Sequence, residues 1–359
     1  MANFDLANLS LKAICPTNEL ILDDRDLPSV MVYIPKFKIS EVITGGSDST
    51  HPAFIVNGQE VPGVYISKYQ NVVHNNRAYS LPGEAPKVSI NFDTARQVCE
   101  AKGRGWHLMT NAEWAALALW CRKNNCLPQG NNDFGKDHKE DTYTAVPASY
   151  GEDGRINCVL TGTGSKTWSH NGEADGIFDL NGNVYEWVGG YRTMDGEIQI
   201  LPNNDAADFR NAQNSSSVKW RAMLSNGTLV EPGTAGTLKW DYTADPGTEH
   251  TNNIFCLNTV IENPASNNNP YGHAFFSAMI VKDGVMVPEM MKALALFPVD
   301  SGDYGEDTFT MQNKNEKLAY RGGSWGSTMA AGVFRLYGNA SRSTLSTSLG
   351  FRAAYIPDL

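Results

Sequence analysis

The chain has 359 residues, 41% of them hydrophobic, which suffices for one large domain or two ordinary ones with a substantial core. Acidic residues outnumber basic ones by 39 to 29, and the net charge of -10 disfavours nucleic acid or an anionic lipid surface as the main partner. No apolar run is long enough to span a membrane and no basic N-terminal stretch precedes an apolar one, so we expect neither membrane insertion nor a Sec-type signal peptide.

The first segment, residues 1–28, shows little hydrophobic periodicity and is predicted to form an N-terminal arm. Residues 30–39 and 61–72 are rich in Val, Ile and Tyr, which predicts two strands that pair as a hairpin. The domain itself is expected to occupy residues 29–359.

Two helices are predicted next. Residues 91–103 carry apolar side chains at helical spacing after a capping residue, Asn91 or Asp93. In the second helix, Thr110 and Glu113 form a capping box ahead of an apolar stripe. The 33 Gly, 17 Pro and many Asn predict loops and short strands elsewhere, so the expected fold class is α+β.

The second half of the chain divides into two parts. Residues 195–318 alternate short β-like runs with polar stretches, and we expect them to form an insertion that decorates the core rather than a separately folding domain. Residues 319–356 return to a strong pattern, which predicts three short strands joined by polar loops.

Six cysteines occur at irregular spacing and without paired CxxC motifs, which argues against a disulfide-built scaffold or a zinc knuckle. We expect mostly buried thiols, with one or two disulfides if the protein works outside a cell. The six are Cys15, Cys99, Cys121, Cys126, Cys158 and Cys256.

Three motifs follow one another along the chain: GRGWHLMTNAEWAALALW at 103–120, GIFDLNGNVYEWVGG at 176–190, and RGGSW…GFRAAY at 321–355. Together with VYIPKFKI near the start, they resemble the formylglycine-generating-enzyme (sulfatase-modifying factor) type of C-type lectin fold. The resemblance covers the core but not the insertion. It implies a loop-rich fold with short antiparallel strands and two main helices.

Several residues of these motifs suit a scaffold. A helix-poor fold needs large apolar side chains as core anchors, and the motifs supply Trp187, Trp325 and Phe351. We expect Arg321 and Arg352 to bind backbone carbonyls or a buried carboxylate such as Glu186, because a buried guanidinium must be paired.

The sequence gives weak support to an enzyme. The formylglycine-generating enzymes resembled here oxidise with a cysteine pair in the C-terminal motif, which also binds copper, whereas the last cysteine of this chain is Cys256. The related sulfoxide synthases hold non-haem iron with a histidine cluster, and the seven histidines here show no short ligand spacing. A metal-dependent oxidoreductase whose centre assembles only in three dimensions stays open as the alternative.

Residues 321–355 contain no Asp, Glu or Lys, although the average of the chain would give about four acidic residues. Their pattern, RGGSW then AGVF then GFRAAY, resembles the variable region of proteins diversified by retroelements, in which a reverse transcriptase randomises adenine positions of a template. The resemblance implies fixed residues at Arg321, Gly322, Gly323, Trp325, Ala331, Gly332, Val333, Phe334, Leu336, Gly350, Phe351 and Arg352. It implies diversified, ligand-binding positions at Gly326, Ser327, Met329, Ala330, Arg335, Tyr337, Asn339, Ala340, Thr344, Ser346 and Thr347.

The variable region has the chemistry of a binding surface. In an extended segment, Arg335, Tyr337 and Asn339 share one face and Phe334 and Leu336 the other, so an apolar row anchors the strand while the outer row meets ligand. Tyr and Arg are frequent at binding hot spots, and Ser, Gly and Asn adapt hydrogen bonds around them. The alternative is an ordinary solvated face, although such faces usually carry Lys and Glu.

The NGNVYEW segment raises the question of a metal. It resembles the segment with which formylglycine-generating enzymes hold a structural calcium ion through backbone carbonyls and a glutamate, which makes Asn181, Gly182, Val184 and Glu186 candidate Ca²⁺ ligands. A Glu186 paired with an arginine fits the sequence equally well, because a single carboxylate supplies little negative charge to a Ca²⁺ site.

These observations predict a non-enzymatic ligand- or receptor-binding protein that displays diversified residues on a rigid C-type lectin scaffold. The expected partner is a protein or other surface ligand of a host or neighbouring cell. The sequence shows no recognisable signal peptide, which favours a tail-associated position on a virion over a cell surface reached by Sec export.

Overall fold

The structure is a computed structural model that describes residues 4–243, 254–266, 271–357 and 359. The described residues form five α-helices: α1 (Asp5–Ile14), α2 (Ile39–Val42), α3 (Phe92–Glu100), α4 (Asn111–Lys123) and α5 (Glu289–Ala293). Across these ranges, no helix has both the length and the apolar character needed to cross a membrane.

The strands are short and numerous. The first eight are β1 (Asn18–Leu22), β2 (Pro28–Pro35), β3 (Ile55–Val56), β4 (Gln59–Glu60), β5 (Gly63–Ser67), β6 (Val72–His74), β7 (Arg77–Tyr79) and β8 (Trp106–Leu108). They are followed by β9 (Tyr185–Met194), β10 (Glu197–Ile200), β11 (Arg221–Met223), β12 (Leu229–Val230), β13 (Lys239–Tyr242), β14 (Phe255–Asn258), β15 (Gly272–Phe275) and β16 (Ile280–Val281). The last five are β17 (Thr308–Met311), β18 (Glu316–Gly322), β19 (Gly332–Ala340), β20 (Leu349–Phe351) and β21 (Ala353–Tyr355).

A five-stranded sheet of order β1-β2-β5-β21-β8 joins the two ends of the chain. Within it, β2 and β5 pair antiparallel with Pro35 opposite Gly63, so the predicted pairing of these two segments is confirmed. Strand β21, from the C-terminal motif, lies between β5 and β8. The C-terminal motif therefore completes the sheet that the N-terminal segments begin.

The N-terminal segment is more ordered than its sequence suggests. Where the sequence predicted an arm, β1 pairs with β2 along its whole length, with Leu20 opposite Val30. The preceding helix α1 buries none of its residues and exposes Leu6 and Leu9. Periodicity could not reveal β1, because its five residues, one buried and four partly buried, show no alternation between buried and exposed positions.

The two predicted helices are confirmed with their caps. Asn91 Oδ1 accepts the Thr94 N–H at 2.9 Å at the start of α3. At the start of α4, the Thr110 hydroxyl accepts the Glu113 N–H and the Glu113 carboxylate accepts the Thr110 N–H. Helix α4 is buried on nearly all sides and forms the centre of the main core.

A twelve-stranded sheet holds most of the remaining chain. Its main order is β15-β17-β19-β18-β9-β10-β13-β14-β16, with β11 beside β10, β12 beside β11, and β20 beside β9. Strands β10 to β17 come from the segment predicted as an insertion, and they extend this one sheet on both sides of β19, β18 and β9. Most pairs are antiparallel, and the fold is α+β and loop-rich as predicted.

The core anchors agree with the sequence except at one position. Trp187 and Phe351 are fully buried in the cluster formed with α3, whereas Trp325 is half-buried in a loop and belongs to none of the four hydrophobic clusters of the described residues. The Trp325 backbone, rather than its ring, fixes that loop, since its N–H donates to Asn183 O at 3.1 Å and its carbonyl accepts the Phe134 N–H at 2.7 Å. The expectation of a Trp325 core anchor was therefore wrong.

Candidate ligand-binding surface

Strand β19 places alternate side chains on opposite faces of the sheet. Phe334 and Leu336 are fully buried, and the Phe334 ring packs against Phe276 and Tyr304 at centroid distances of 5.2 and 4.9 Å. On the other face, Tyr337 and Asn339 are partly exposed. The predicted alternation along β19 is therefore confirmed.

Three tyrosines from neighbouring strands form a half-buried aromatic surface beside this outer row. Tyr337 of β19 stacks on Tyr320 of β18, with ring centroids 4.8 Å apart and planes inclined by 5°. Tyr185 of β9 meets the edge of Tyr320, also at 4.8 Å. We refer to Tyr185, Tyr320 and Tyr337 as the tyrosine platform. Such rings offer flat apolar area together with a hydroxyl group that can bond to a ligand.

Arg335 brings a positive charge to the platform. Its guanidinium lies 5.9 Å from the Tyr185 ring centroid and 5.8 Å from that of Tyr337, and Nη2 donates to the Tyr185 hydroxyl at 3.2 Å. Burial raises the pKa values of Tyr320 and Tyr337, so both phenols stay neutral and able to donate. Burial and the charge of Arg335 lower the pKa of nearby His273 to about 4. Of Arg335, His273, Tyr320 and Tyr337, only Arg335 is therefore charged at neutral pH.

Two predicted display positions are buried. Arg335 is 5% exposed because the platform rings cover it, and within the described residues its Nε and Nη1 have no hydrogen-bond partner. Ala340 is 2% exposed because a β-bulge in β19 sets it opposite Leu318, in the cluster that includes Trp187 and Phe351. Neither side chain is a freely exchangeable surface group, which corrects the sequence-based assignment.

The other nine predicted positions reach the surface. Three are exposed and six are partly exposed; in that order they are Gly326, Met329 and Thr347, then Ser327, Ala330, Tyr337, Asn339, Thr344 and Ser346. They lie on the outer face of β19 and on the two loops that flank it, residues 323–331 and 341–348. The structure thus brings these nine positions to one region around a single strand.

Main-chain hydrogen bonds hold both loops in place. In the first loop, the Thr328 N–H donates to Asn132 O at 2.8 Å. In the second, Ser346 O accepts the Ser89 N–H and Ser348 O accepts the Tyr185 N–H, each at 2.9 Å. Backbone bonds of this kind do not depend on side-chain identity. Two display side chains also support the loops, since Ser327 Oγ accepts the Ser324 N–H at 3.0 Å and Ser346 Oγ accepts the Ser348 N–H at 3.2 Å.

The sequence did not identify Tyr185 and Tyr320 as surface residues. A usable signal was present, because each directly precedes a buried charged residue, Glu186 or Arg321. On a strand, successive side chains point to opposite faces, so a ring beside a buried charge faces the other way.

The candidate calcium ligands converge on a side chain of the protein itself. The carbonyl oxygens of Gly182 and Val184 and Glu186 Oε1 lie 3.4, 2.9 and 3.0 Å from Gln70 Nε2, which also donates to Asp179 O at 3.1 Å. The Gln70 oxygen in turn accepts the Asn183 amide at 2.9 Å. Because all four facing groups are acceptors, the amide nitrogen is the atom that belongs among them.

The remaining features of this site also differ from a calcium centre. The Asn181 side chain points elsewhere, donating to Pro128 O at 2.8 Å. Both carboxylate oxygens of Glu186 accept hydrogen bonds of 2.6 Å from Arg352, which neutralises the only acidic ligand. No three His, Cys, Asp or Glu side chains in the described ranges cluster to hold a metal. The residues present therefore do not fit a bound Ca²⁺, and the pairing of Glu186 with an arginine is what the structure shows.

Replacing Gln70 with Ala is expected to lower the free energy of unfolding by about 2–3 kcal/mol, because several buried acceptors lose their donor. Urea unfolding measures this change, with exposed Gln59→Ala as the control. The natural protein should unfold at the same urea concentration in millimolar CaCl₂ and in EDTA. A calcium-dependent gain in its stability would contradict the assignment of Gln70 to this position.

The chain matches a known protein family. The model of the "Sulfatase-modifying factor enzyme 1-like domain" matches residues 13–229, more than half of the chain. The chain belongs to this family. The prediction of a sulfatase-modifying-factor fold is thereby confirmed, and the match includes two of the three sequence motifs but ends before 321–355. No curated protein matches the chain.

Solved structures similar to this sulfatase-modifying-factor domain have low sequence identity. PvdO from Pseudomonas aeruginosa is 14% identical with a TM-score of 0.37, over 94% of this chain and 97% of that one. Treponema denticola variable protein 1 is 14% identical with a TM-score of 0.34, over 95% of this chain and all of that one. The U1 variant of the Major Tropism Determinant is 13% identical with a TM-score of 0.29, and the match covers 91% of this chain and 63% of that one.

Proposed function

We propose that this protein is a non-enzymatic binding protein whose residues 321–355 form a retroelement-diversified display region. The observation that carries the proposal is the division of the region into two faces. Nine predicted variable positions reach the surface around β19, while the fixed residues Phe334, Leu336 and Phe351 are fully buried. A buried row of this kind keeps the backbone in place when outer side chains change.

The chemistry of the tyrosine platform and the flanking loops supports this proposal. Tyrosine rings supply rigid contact area at small entropic cost, and the serine and threonine hydroxyls around them adapt to different partners. Arg335, although buried, adds a positive charge beside the Tyr185 and Tyr337 rings. We infer that the partner is a protein or another ligand on the surface of a host or neighbouring cell, and that the protein acts on a virion tail or at a cell surface.

Sequencing the neighbouring DNA tests diversification. We expect a reverse-transcriptase gene and a near-copy of the segment that encodes residues 326–347, differing from it mainly at adenines. Among related isolates, the codons of exposed Met329 and Thr347 should vary far more than those of buried Phe334 and Phe351. Equal variation at exposed and buried codons, with no template copy nearby, would contradict the proposal.

Metal analysis distinguishes the binder from an oxidoreductase of the same fold. Purified protein is expected to hold no stoichiometric iron or copper and to show no oxygen-dependent turnover. Two buried histidines already use a ring nitrogen in a contact with the protein: His51 Nε2 lies 2.9 Å from Ala293 O, and His107 Nε2 lies 2.8 Å from Glu113 Oε1. Stoichiometric metal accompanied by turnover would end the binding interpretation.

A further inference from the structure

The end of helix α4 holds two thiols close together. Cys121 is fully buried in the last turns of the helix, and Cys126 is half-buried just beyond it. The chain turns between them at Asn125, whose φ of 54° lies in the left-handed region. The Cys126 N–H then donates to Cys121 O at 2.9 Å, which holds the two backbones side by side.

The two sulfur atoms also lie beside the same carbonyl oxygen. Cys121 Sγ lies 3.1 Å and Cys126 Sγ 3.3 Å from the same acceptor, the carbonyl oxygen of His170. The interaction with the Cys121 side chain lowers the pKa of Cys126, whereas burial raises the pKa of Cys121. Cys126 is therefore the more accessible and more easily ionised thiol, the two properties that an attacking cysteine needs.

We propose that Cys121 and Cys126 form a disulfide when the protein is in an oxidising environment. This inference is independent of the proposed function, because it rests on the contacts of the two sulfurs alone. The bond would close a short loop at the end of α4 and remove conformational freedom from the unfolded chain.

The disulfide would also fasten a segment that supports the display loops. Residues 127–134 follow Cys126 directly, and within them Asn132 O accepts the Thr328 N–H at 2.8 Å. The Phe134 N–H donates to Trp325 O at 2.7 Å. A Cys121–Cys126 disulfide would therefore fix the turn through which the chain leaves α4 and enters the segment that contacts residues 325–328.

Glutathione disulfide is a suitable oxidant for the test, and the exchange balances in two steps. The Cys126 thiolate attacks one sulfur of glutathione disulfide, forming a mixed disulfide and releasing one glutathione thiolate. Cys121 then loses its proton and attacks the Cys126 sulfur, which forms the protein disulfide and releases the second glutathione. Two protein thiols are oxidised and one glutathione disulfide is reduced to two glutathione molecules.

Peptide mapping tests the proposal on the full-length protein. The reduced protein is treated with glutathione disulfide, alkylated in denaturant and digested with trypsin, which cleaves after Arg122 and Lys123, between the two cysteines. We expect peptides 105–122 and 124–136 to be recovered as one linked species that separates on reduction. The oxidised protein should also melt at a higher temperature than the reduced protein.

Two variants serve as controls. Cys126→Ser should abolish both the linked species and the effect of oxidation on melting, whereas Cys158→Ser, which removes another buried thiol, should leave both unchanged. Recovery of Cys126 as a stable glutathione adduct, as an alkylated thiol, or linked to a different cysteine would overturn the assignment. The mapping of the natural protein decides the question even if a variant folds poorly.

Discussion

Replacing Arg352 with Ala is expected to lower the free energy of unfolding by about 3–5 kcal/mol, because it leaves a buried charge without its partner. Arg352 is fully buried, and its Nε and Nη2 donate to the two carboxylate oxygens of Glu186 at 2.6 Å each. Its remaining donors bind Ser67 O and Phe178 O at 3.0 Å each. The variant therefore strands one carboxylate and two carbonyl groups in the interior.

Urea unfolding followed by circular dichroism measures this loss. Lys166→Ala is the matched control, since Lys166 bonds to Glu173 at 3.1 Å while their side chains are 60% and 64% exposed. A surface pair of this kind contributes about 0–1 kcal/mol. Arg352→Lys should lie between the two, because it keeps the charge but loses the two-pronged geometry. Equal losses for Arg352→Ala and Lys166→Ala would show that the buried pair is not needed.

The position of Arg352 explains why two distant motifs occur together. It stands between β20, which pairs with β9 in the large sheet, and β21, which pairs with β5 and β8 in the small one. Its partner Glu186 belongs to β9. The pair therefore links the two sheets at the point where the chain crosses between them, and a change in either motif strands a charge in the other.

Features governed by neighbouring residues could be predicted from the sequence. The caps at Asn91 and Thr110 are set within four residues, and the alternation along β19 follows from the strand period. The pairing of the motif arginines joins distant segments, yet it could be predicted in kind from the cost of burying an unpaired guanidinium. Arg352 binds Glu186, and Arg321 Nη2 binds Asn111 Oδ1 at 2.7 Å and Ala295 O at 3.1 Å.

Other features that depend on distant segments could not be predicted. Gln70 meets the 179–186 segment only because two separate parts of the chain are brought together, and no local pattern marks it as their donor. Arg335 faces outward by alternation, yet rings from β9 and β19 bury it. Strand period gives the direction of a side chain, whereas its exposure depends on the size of its neighbours in the sheet.

Phe351→Ala is expected to cost about 3–5 kcal/mol of stability, the usual range for removing a fully buried phenylalanine. Phe351 is 0% exposed and packs in the cluster that includes Trp187. The two residues are also partners across the β20–β9 pair. Thr347, four residues earlier, is exposed, so Thr347→Ala should change the free energy of unfolding by less than about 0.5 kcal/mol. Urea unfolding of the two variants tests whether scaffold and display positions are separate. Similar losses at both would mean that the outer residues support the fold, and a surface that supports the fold is not free to diversify.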